Sequence, residues 1–362
     1  MLNKSSCMIS EIKNIKIIGC SAAVSNNWSS LLECSNEEEN IIKKFIKKTG
    51  VKGRYNAGIK QTTSDFCFAA AKKLLEEKSI DPKEIGVLVF VTQTSDYALP
   101  ATACLLQDRL GLSQDCIAFD VNLGCSGFTY GLNIVASLLN NSNSSKALLL
   151  AGDTSAKEKN AKYTSKTAHS ATMLFGDSGT ATLLSKDYSA KPITMISKTA
   201  GSGYKAIITP YGGWRNPEAP AGKSYGTIMD DVEVFNFACG EVPALLEKTM
   251  ELSNSKPSDY DCLVLHQANL FIMKQIAKRS GFPIEKTLVS IDVFGNTSSA
   301  SVPNSLVKEY GDKNSDKIIR ALMCGFGVGL SWSTVDCYIN ENDILPLIHT
   351  DEYFEDGYMP VE

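Results

Sequence analysis

The stretch Asp120-Val-Asn-Leu-Gly-Cys-Ser-Gly-Phe-Thr-Tyr130 is the segment around which the rest of the chain is organised. The apolar run before it, residues 117–121, predicts a buried strand. After the turn, apolar residues recur every three or four positions, at Phe128, Leu132, Val135 and Leu139. This spacing is typical of a helix, so Cys125 is predicted to lie where a strand turns sharply into a helix.

A cysteine at this position has the features of a presented nucleophile. The free N–H groups and the positive dipole end of a helix lower the pKa of a thiol and favour the thiolate. Gly124, Ser126 and Gly127 are small enough to let a thioester carbonyl approach the backbone. The alternative is that Cys125 is one more buried thiol among the eleven cysteines of the chain, and its position alone does not decide between the two.

Composition limits the class of protein. The 362 residues are 43% hydrophobic with a formal net charge of -4, which suits a large core divided into two domains or two fused halves. No apolar run reaches the roughly 18 residues of a membrane span, and residues 1–13 lack the apolar segment of a signal peptide. The mild acidity gives no nucleic-acid footprint. An odd number of cysteines without CxxC pairs favours free thiols in a reducing cytoplasm over zinc or disulfides.

The order of predicted elements indicates a layered α/β protein. Continuous apolar strands alternate with helices, a pattern that predicts parallel strand pairing with right-handed crossovers. We place an N-terminal half at residues 1–185, a C-terminal half at 186–339 and an acidic tail at 340–362. The tail has seven carboxylates and no Lys or Arg. It could pack on the surface through its apolar residues or remain a solvated terminus, and the sequence leaves both open.

Two further residues follow predicted buried strands at the start of helical segments. His266 comes after the strand 262–265, and only His169 and His349 compete with it as a histidine base. Asn296 comes after a strand predicted at 288–291. Side chains at strand ends often line sites in α/β proteins, but a structural histidine and a capping asparagine are common alternatives.

The run Gly325-Phe-Gly-Val-Gly-Leu-Ser-Trp332 is the last motif. Alternating glycines let a backbone approach a ligand and direct N–H groups at it. A dinucleotide fingerprint would need a helix after the glycines, whereas residues 330–339 are predicted to form a strand.

Taken together, these motifs resemble those of the β-ketoacyl-acyl-carrier-protein synthase III family of thiolase-like condensing enzymes. The matching pieces are Gly124-Cys-Ser-Gly-Phe-Thr-Tyr130, Phe175-Gly-Asp-Ser178, His266-Gln-Ala-Asn-Leu270, Gly295-Asn-Thr-Ser-Ser-Ala-Ser-Val-Pro303 and Gly325-Phe-Gly-Val-Gly329. The resemblance runs from about residue 15 to residue 332. It implies two stacked α/β halves in five layers, a homodimer, and a catalytic triad of Cys125, His266 and Asn296.

The chemistry implied by this resemblance suits those residue types. A cysteine takes an acyl group reversibly from a thioester such as acyl-CoA. Backbone N–H groups of Cys125 and Val328, with Gly327 beside them, would form the first oxyanion hole, worth about 3 kcal/mol per donor. His266 and Asn296 would stabilise the enolate formed when a malonyl thioester loses CO2. No cofactor is expected besides these substrates.

The chain departs from the family at the substrate entrance. The family carries a Trp and an Arg that sandwich the adenine of coenzyme A. Aligned on Thr49-Gly50, these positions are Lys44 and Lys48, and Phe45 beside Lys44 could stack if the register slips by one. The position of a second entrance Arg in the family is occupied here by His169. The position of the Arg that contacts the carrier protein is occupied by Phe271. Fewer guanidinium groups mean fewer charge-assisted contacts, so we expect an acyl carrier protein as partner through an altered docking surface.

Three other functions compete with condensation. The acyl group of Cys125 could pass to an amine or hydroxyl without decarboxylation, or the chain could be a non-catalytic partner subunit. A hydroxymethylglutaryl-CoA synthase is disfavoured because Ser95-Asp-Tyr97 lacks the glutamate base of that branch. In the condensing reading, Leu99 in the loop 97–101 resembles the residue that lines the acyl pocket of the neighbouring subunit.

Overall fold

A computed structural model describes residues 8–34, 39–156, 173–223 and 225–358. The strands are β1 (Met8–Ile12), β2 (Ile15–Val24), β3 (Trp28–Ser30), β4 (Gly53–Tyr55), β5 (Ile85–Val91), β6 (Ile117–Val121), β7 (Lys146–Asp153), β8 (Ser178–Lys186), β9 (Ile193–Thr199), β10 (Ile207–Ile208), β11 (Ile228–Met229), β12 (Cys262–Leu265), β13 (Ile318–Gly327), β14 (Ser331–Asn340) and β15 (Ile348–His349). The helices are α1 (Leu31–Cys34), α2 (Glu39–Thr49), α3 (Thr63–Glu77), α4 (Thr102–Arg109), α5 (Gly127–Asn140), α6 (Asp231–Leu252), α7 (Leu270–Arg279), α8 (Ile291–Phe294) and α9 (Ser301–Tyr310).

Two large sheets and three helical layers form the architecture. One sheet has the order β15-β2-β8-β7-β5-β6 and the other has the order β1-β9-β14-β13-β12. The helices α5 and α9 pack between the two sheets in a continuous apolar core. Helices α3 and α4 cover the outer face of the first sheet, and α6 and α7 cover that of the second. The predicted α/β fold of two stacked halves in five layers is therefore confirmed.

The strand pairing is mixed rather than purely parallel. In the first sheet, β5 pairs in parallel with β6 and β7, whereas β8 runs antiparallel to both β7 and β2. In the second sheet, β12 and β13 are parallel, and the remaining neighbours are antiparallel. The predicted parallel pairing is correct for β5 with β6 and β7 and for β12 with β13, and it is wrong for β8. In the second sheet, β13 and β14 are antiparallel because a tight turn between them reverses the chain direction.

The strand predicted at 288–291 does not form. Leu288 donates its N–H to the Leu263 carbonyl at 2.9 Å, beside an isolated bridge between Leu263 and Thr287. The chain then enters α8 at Ile291. The apolar run is largely buried, as expected, but short helical segments flank it. A short apolar run does not by itself distinguish a buried strand from a buried helical segment.

Strand β6 was expected to be buried and is instead the edge of its sheet. Every residue of it is at least partly accessible, and Ile117 is 52% exposed. An edge strand leaves a row of backbone N–H and C=O groups available for pairing with another chain.

The sheets cross the predicted domain limits at both ends. Strand β1, near the start of the N-terminal half, pairs with β9 in the second sheet. Strand β15, from the acidic tail, pairs in parallel with β2 in the first sheet. The division at residue 185 stays a prediction, since each sheet includes a strand from the other end of the chain.

The described part of the acidic tail packs on the N-terminal half. The Gln61 amide donates to the carbonyls of Thr350 and Glu352 at 3.0 and 3.1 Å. The Phe354 N–H donates to Asp65 Oδ1 at 2.9 Å, and the Phe354 ring lies 4.9 Å from the guanidinium of Arg109. Of the two alternatives left open by the sequence, the structure has the packed tail. In the described ranges, no helix is long and apolar enough to cross a membrane.

The contact between Phe354 and Arg109 yields a stability prediction. We expect Phe354→Ala to lower the free energy of unfolding by about 1–2 kcal/mol, because it removes a cation–π contact and partly buried apolar surface. The measurement is urea unfolding followed by circular dichroism. The control is Tyr358→Ala in the same segment, which is 88% exposed and should change stability by less than about 0.5 kcal/mol. Equal effects of the two variants would contradict the prediction.

Candidate active site

The turn that carries Cys125 is compressed against its neighbours. It connects β6 to α5, as predicted from the sequence. A Cβ atom added to Gly124 would lie 2.1 Å from Gln93 Oε1, and one added to Gly127 would lie 2.5 Å from Val91 Cγ1. Both distances are far below van der Waals contact. The end of the flexible Gln93 side chain can move away, whereas Val91 is a buried residue of β5, so the demand for glycine is stronger at Gly127. These glycines let the helix begin directly against strand β5.

The end of β13 and the first residue after it lie on the thiol. A Cβ atom on Gly327 would lie 2.6 Å from Cys125 Cβ and 2.9 Å from its Sγ. On Gly325 it would lie 3.0 Å from the Cys125 carbonyl oxygen. The backbone N–H groups of Val328 and of Cys125 itself hydrogen bond with the sulfur. This arrangement is the one that the predicted oxyanion hole requires, and the role remains a prediction.

The Cys125 thiol is a weaker acid than the sequence indicated. Burial raises its pKa to about 11, and the negative charge of Asp153 acts in the same direction. Hydrogen bonds from the Val328 N–H, the Cys125 N–H and the Ser298 hydroxyl lower the pKa but do not compensate. The expectation that the helix N-terminus lowers this pKa is therefore wrong, because desolvation of the thiolate outweighs the hydrogen bonds that favour it.

His266 directly follows β12, and its side chain is buried. Its Nδ1 is 2.7 Å from the Ser301 Oγ, and its ring contacts Phe326 edge to face with centroids 5.4 Å apart. Burial lowers its pKa to about 3, although a hydrogen bond with the backbone of Ser298 favours the charged form. The imidazole is therefore neutral near pH 7.

Asn296 is fixed by backbone and side-chain contacts. Its N–H donates to the Leu174 carbonyl at 2.8 Å, and its carbonyl accepts from the Gly176 N–H at 3.1 Å. These bonds explain why the motif at 175–178 accompanies the asparagine. The Asn296 Oδ1 accepts from the Ser298 N–H at 2.9 Å, which orients the amide. In the part of the chain that the structure describes, no hydrogen-bond partner is found for its Nδ2, which remains available as a donor.

Ser298 contacts all three predicted catalytic residues, and the sequence analysis did not identify it. Its hydroxyl interacts with the Cys125 thiol, its backbone with His266, and its N–H with Asn296. Its φ of 50° is in the left-handed region, which is uncommon for a residue with a side chain. A non-glycine residue in this conformation indicates a backbone constrained by its surroundings.

Asp153 is a second residue that sequence analysis missed. It is buried at the end of β7, where its Oδ1 accepts from the Gln93 N–H at 2.7 Å and from the Thr92 hydroxyl at 3.1 Å. Its Oδ2 accepts from the Ser299 hydroxyl at 3.2 Å. Burial raises its pKa, and these hydrogen bonds lower it. A polar residue at the carboxyl end of a strand parallel to β5 was the available signal.

The predicted entrance residues differ in their surroundings. Phe45 is partly buried against the small core around Val51 and Ile291, whereas Lys48 is exposed at the end of α2. Phe271 is 49% exposed and stacks on Phe235, with ring centroids 5.7 Å apart. Leu99 is 85% exposed. His169 lies outside the described residues.

Phe271 and Lys48 belong to neighbouring elements. A Cβ atom on Gly50, just after α2, would lie 2.9 Å from the Leu270 Cβ at the start of α7. The surface at this junction thus combines an aromatic stack with lysines of α2. Within the described ranges, no group of three or more His, Cys, Asp or Glu side chains could hold a metal ion.

Two stacked α/β halves, with a cysteine at a strand-to-helix turn of one half and a histidine and an asparagine from the other, define the thiolase-like class of proteins. Models of 3-oxoacyl-[acyl-carrier-protein] synthase III match residues 119–202, and those of its C-terminal part match residues 250–337. The chain belongs to the β-ketoacyl-acyl-carrier-protein synthase III family.

Individual relatives cover most of the chain. It is 34% identical over 297 residues to a β-ketoacyl-[acyl-carrier-protein] synthase III of Syntrophomonas wolfei, covering 80% of this chain and 87% of the relative. It is 31% identical to one of Clostridium perfringens, covering 89% and 98%. A crystal structure of 3-oxoacyl-(acyl-carrier protein) synthase from Burkholderia xenovorans superposes with a TM-score of 0.88 at 33% identity, covering 96% and 100%.

The raised pKa of the thiol yields a pH prediction. Below a pKa of about 11 the thiolate fraction rises tenfold for each pH unit. We therefore expect iodoacetamide to alkylate Cys125 about tenfold faster per unit from about pH 7 to about pH 9, as measured by mass spectrometry of the Cys125 peptide. Glutathione under the same conditions is the control. A rate that levels off below about pH 8 would contradict the prediction.

Proposed function

We propose that this chain is a condensing enzyme that joins an acyl group to a malonyl thioester with loss of CO2, giving a β-ketoacyl thioester. The observation that carries the proposal is the orientation of Asn296. Its Oδ1 is occupied by the Ser298 N–H, so its Nδ2 is available as a donor, and the same Ser298 also contacts the neutral His266 and the Cys125 thiol. Acyl transfer onto a cysteine needs no such additional donor, whereas stabilisation of an enolate does.

In the first half-reaction, the Cys125 sulfur attacks the carbonyl carbon of an acyl thioester. Negative charge then develops on the carbonyl oxygen, and backbone N–H groups of Cys125 and Val328 donate hydrogen bonds to it. The donor sulfur leaves as a thiol with the proton that Cys125 gives up, and the acyl group remains on Cys125 as a thioester. Because one thioester replaces another, the step is nearly isoenergetic.

In the second half-reaction, the malonyl thioester loses CO2 and an enolate forms. Asn296 Nδ2 and the neutral imidazole of His266 donate hydrogen bonds to the enolate oxygen, and neither residue brings a competing negative charge. The enolate carbon attacks the acyl group, and the Cys125 sulfur leaves. The low dielectric of the buried site strengthens both hydrogen bonds.

The names of the relatives support condensation over the two alternatives. They denote β-ketoacyl-[acyl-carrier-protein] synthases, which form a carbon–carbon bond. No feature of the described site favours transfer to an amine or hydroxyl, or a subunit without catalysis. In this proposal the substrates are an acyl-CoA and a malonyl thioester, and no other cofactor takes part.

We also propose an acyl carrier protein as the partner. Its docking surface on this chain would include one aromatic residue, Phe271, instead of a charged one. Phe271 stacks on Phe235 at the position where the resemblance implies an Arg. An aromatic stack cannot pair with an acidic side chain of the carrier, so the lysines of α2 would supply the attraction between the two proteins. The free cysteines in the described residues support a reducing compartment, the cytoplasm.

A homodimer is the final part of the proposal. The edge strand β6 has unpaired backbone groups, and an apolar groove between Met8, Ile134 and Leu138 lies on α5 and β1. An edge strand beside an exposed apolar groove fits a second copy of the same chain. The loop with the exposed Leu99 would then reach the acyl pocket of the partner.

The role of Asn296 can be separated from that of Cys125. We expect Asn296→Ala to leave acylation of Cys125 nearly intact and to slow CO2 release from malonyl thioesters roughly a hundredfold, the effect of one lost oxyanion donor. Intact-mass spectrometry measures acylation, and labelled CO2 measures decarboxylation. Cys125→Ala is the control that abolishes acylation. The proposal would be contradicted if Cys125 of the wild-type protein is acylated, no CO2 is released, and the acyl group passes to an alcohol or amine.

The dimer predicts an effect of the exposed loop on chain length. Leu99→Trp should shorten the longest acyl chain accepted, because a larger side chain would reduce the space in the partner's pocket. Acylation with acyl-CoAs of increasing length is the assay, and Ile284→Trp, on an exposed residue elsewhere, is the control. An unchanged length profile, or a monomer by light scattering at micromolar concentration, would count against the dimer.

A further inference from the structure

The proposed function places a specific demand on His266. To donate to an enolate oxygen, the neutral imidazole must carry its proton on Nε2, which leaves Nδ1 as an acceptor. Nδ1 must then face a donor. The tautomer of a buried neutral histidine is set by the partner of its other ring nitrogen.

One group contacts Nδ1 directly, and a second lies within hydrogen-bond distance of the first. The Ser301 Oγ lies 2.7 Å from Nδ1 and can either donate or accept. The backbone of Ser298 also interacts with the imidazole, and its carbonyl oxygen can only accept. These two groups therefore favour opposite tautomers.

The Ser301 hydroxyl has one proton and two acceptors within reach. The Ser298 carbonyl lies 2.8 Å from it, and Nδ1 of His266 lies slightly closer. The same carbonyl already accepts the backbone N–H of Ser301. The hydroxyl proton can thus turn to Nδ1 without leaving the buried carbonyl unsatisfied.

We propose that Ser301 is a positioning residue that donates its hydroxyl proton to His266 Nδ1 and so keeps the ring proton on Nε2. The inference rests on the proposed function for its purpose, but the tautomer itself can be observed without substrate. If the hydroxyl is removed, the polar partner of the imidazole that remains among the described residues is the Ser298 backbone, whose carbonyl oxygen can only accept. The ring proton then moves to Nδ1, and Nε2 presents a lone pair to the enolate oxygen.

The chain offers a conservative variant and a matched control. Ser301→Thr retains the hydroxyl, whereas Ser301→Ala removes it. Ser305 is buried one turn further along α9 and donates to the Ser301 carbonyl at 2.8 Å, and its hydroxyl also contacts that of Ser290 rather than His266. Ser305→Ala therefore disturbs the same helix without changing the polar partners of the imidazole.

The test is nitrogen NMR of untagged protein labelled with ¹⁵N-histidine, with His266→Gln used to assign the signal among three histidines. Wild type, Ser301→Thr and Ser305→Ala should show protonated Nε2, and Ser301→Ala should show protonated Nδ1. With a pKa of about 3, the signal should not titrate between about pH 5 and about pH 8. Wild type with protonated Nδ1, or Ser301→Ala with an unchanged tautomer, would overturn the inference.

Partial reactions provide the second readout. Ser301→Ala should slow CO2 release roughly a hundredfold, as for one lost donor, and leave acylation of Cys125 nearly unchanged. Ser301→Thr should restore decarboxylation. If wild-type protein releases no CO2 from any malonyl thioester, the proposed function fails, while the NMR result still decides whether Ser301 sets the tautomer. A tautomer that switches without any loss of decarboxylation would overturn the role assigned to Ser301 in catalysis.

Discussion

The close approach of the end of β13 to the Cys125 thiol is the constraint on which the site depends. The two segments come from different halves of the chain, and they touch because Gly327 has no Cβ to collide with the sulfur. This contact brings the Val328 N–H to the thiol and closes the core between the two sheets. Any side chain at Gly327 would separate the halves at the point where the chemistry takes place.

The same contact removes water from the site, with opposite consequences for its groups. It weakens Cys125 as an acid and His266 as a base, because both charged forms lose hydration. A neutral imidazole and an amide suit the stabilisation of an enolate, which is a task for hydrogen-bond donors. The resting thiol is correspondingly unreactive, and the charge of the transition state must be met by the N–H groups around it.

The network around Ser298 links the two halves at short range. Asp153, from the first sheet, accepts from Ser299, and Ser298 contacts groups from both sheets. Hydrogen bonds from the Ser298 N–H to Asn296 and from Ser301 to the Ser298 carbonyl hold its left-handed backbone. At the surface, the packed tail also links segments that are distant in the chain, since it covers the buried ion pair between Asp65 and Arg109.

The sequence by itself determined the local features of this protein. The turn at Cys125, the positions of most strands and the layered α/β class could be predicted because they depend on periodicity. The five layers and the roles of His266 and Asn296 were implied by the resemblance of the motifs to a known family. Tertiary structure alone decided the direction of the thiol pKa, the exposure of β6, the placement of β1 and β15, and the parts played by Asp153, Ser298 and Ser301. Burial and hydrogen bonding between residues far apart in the chain set these properties, and no local pattern encodes how much water such contacts exclude.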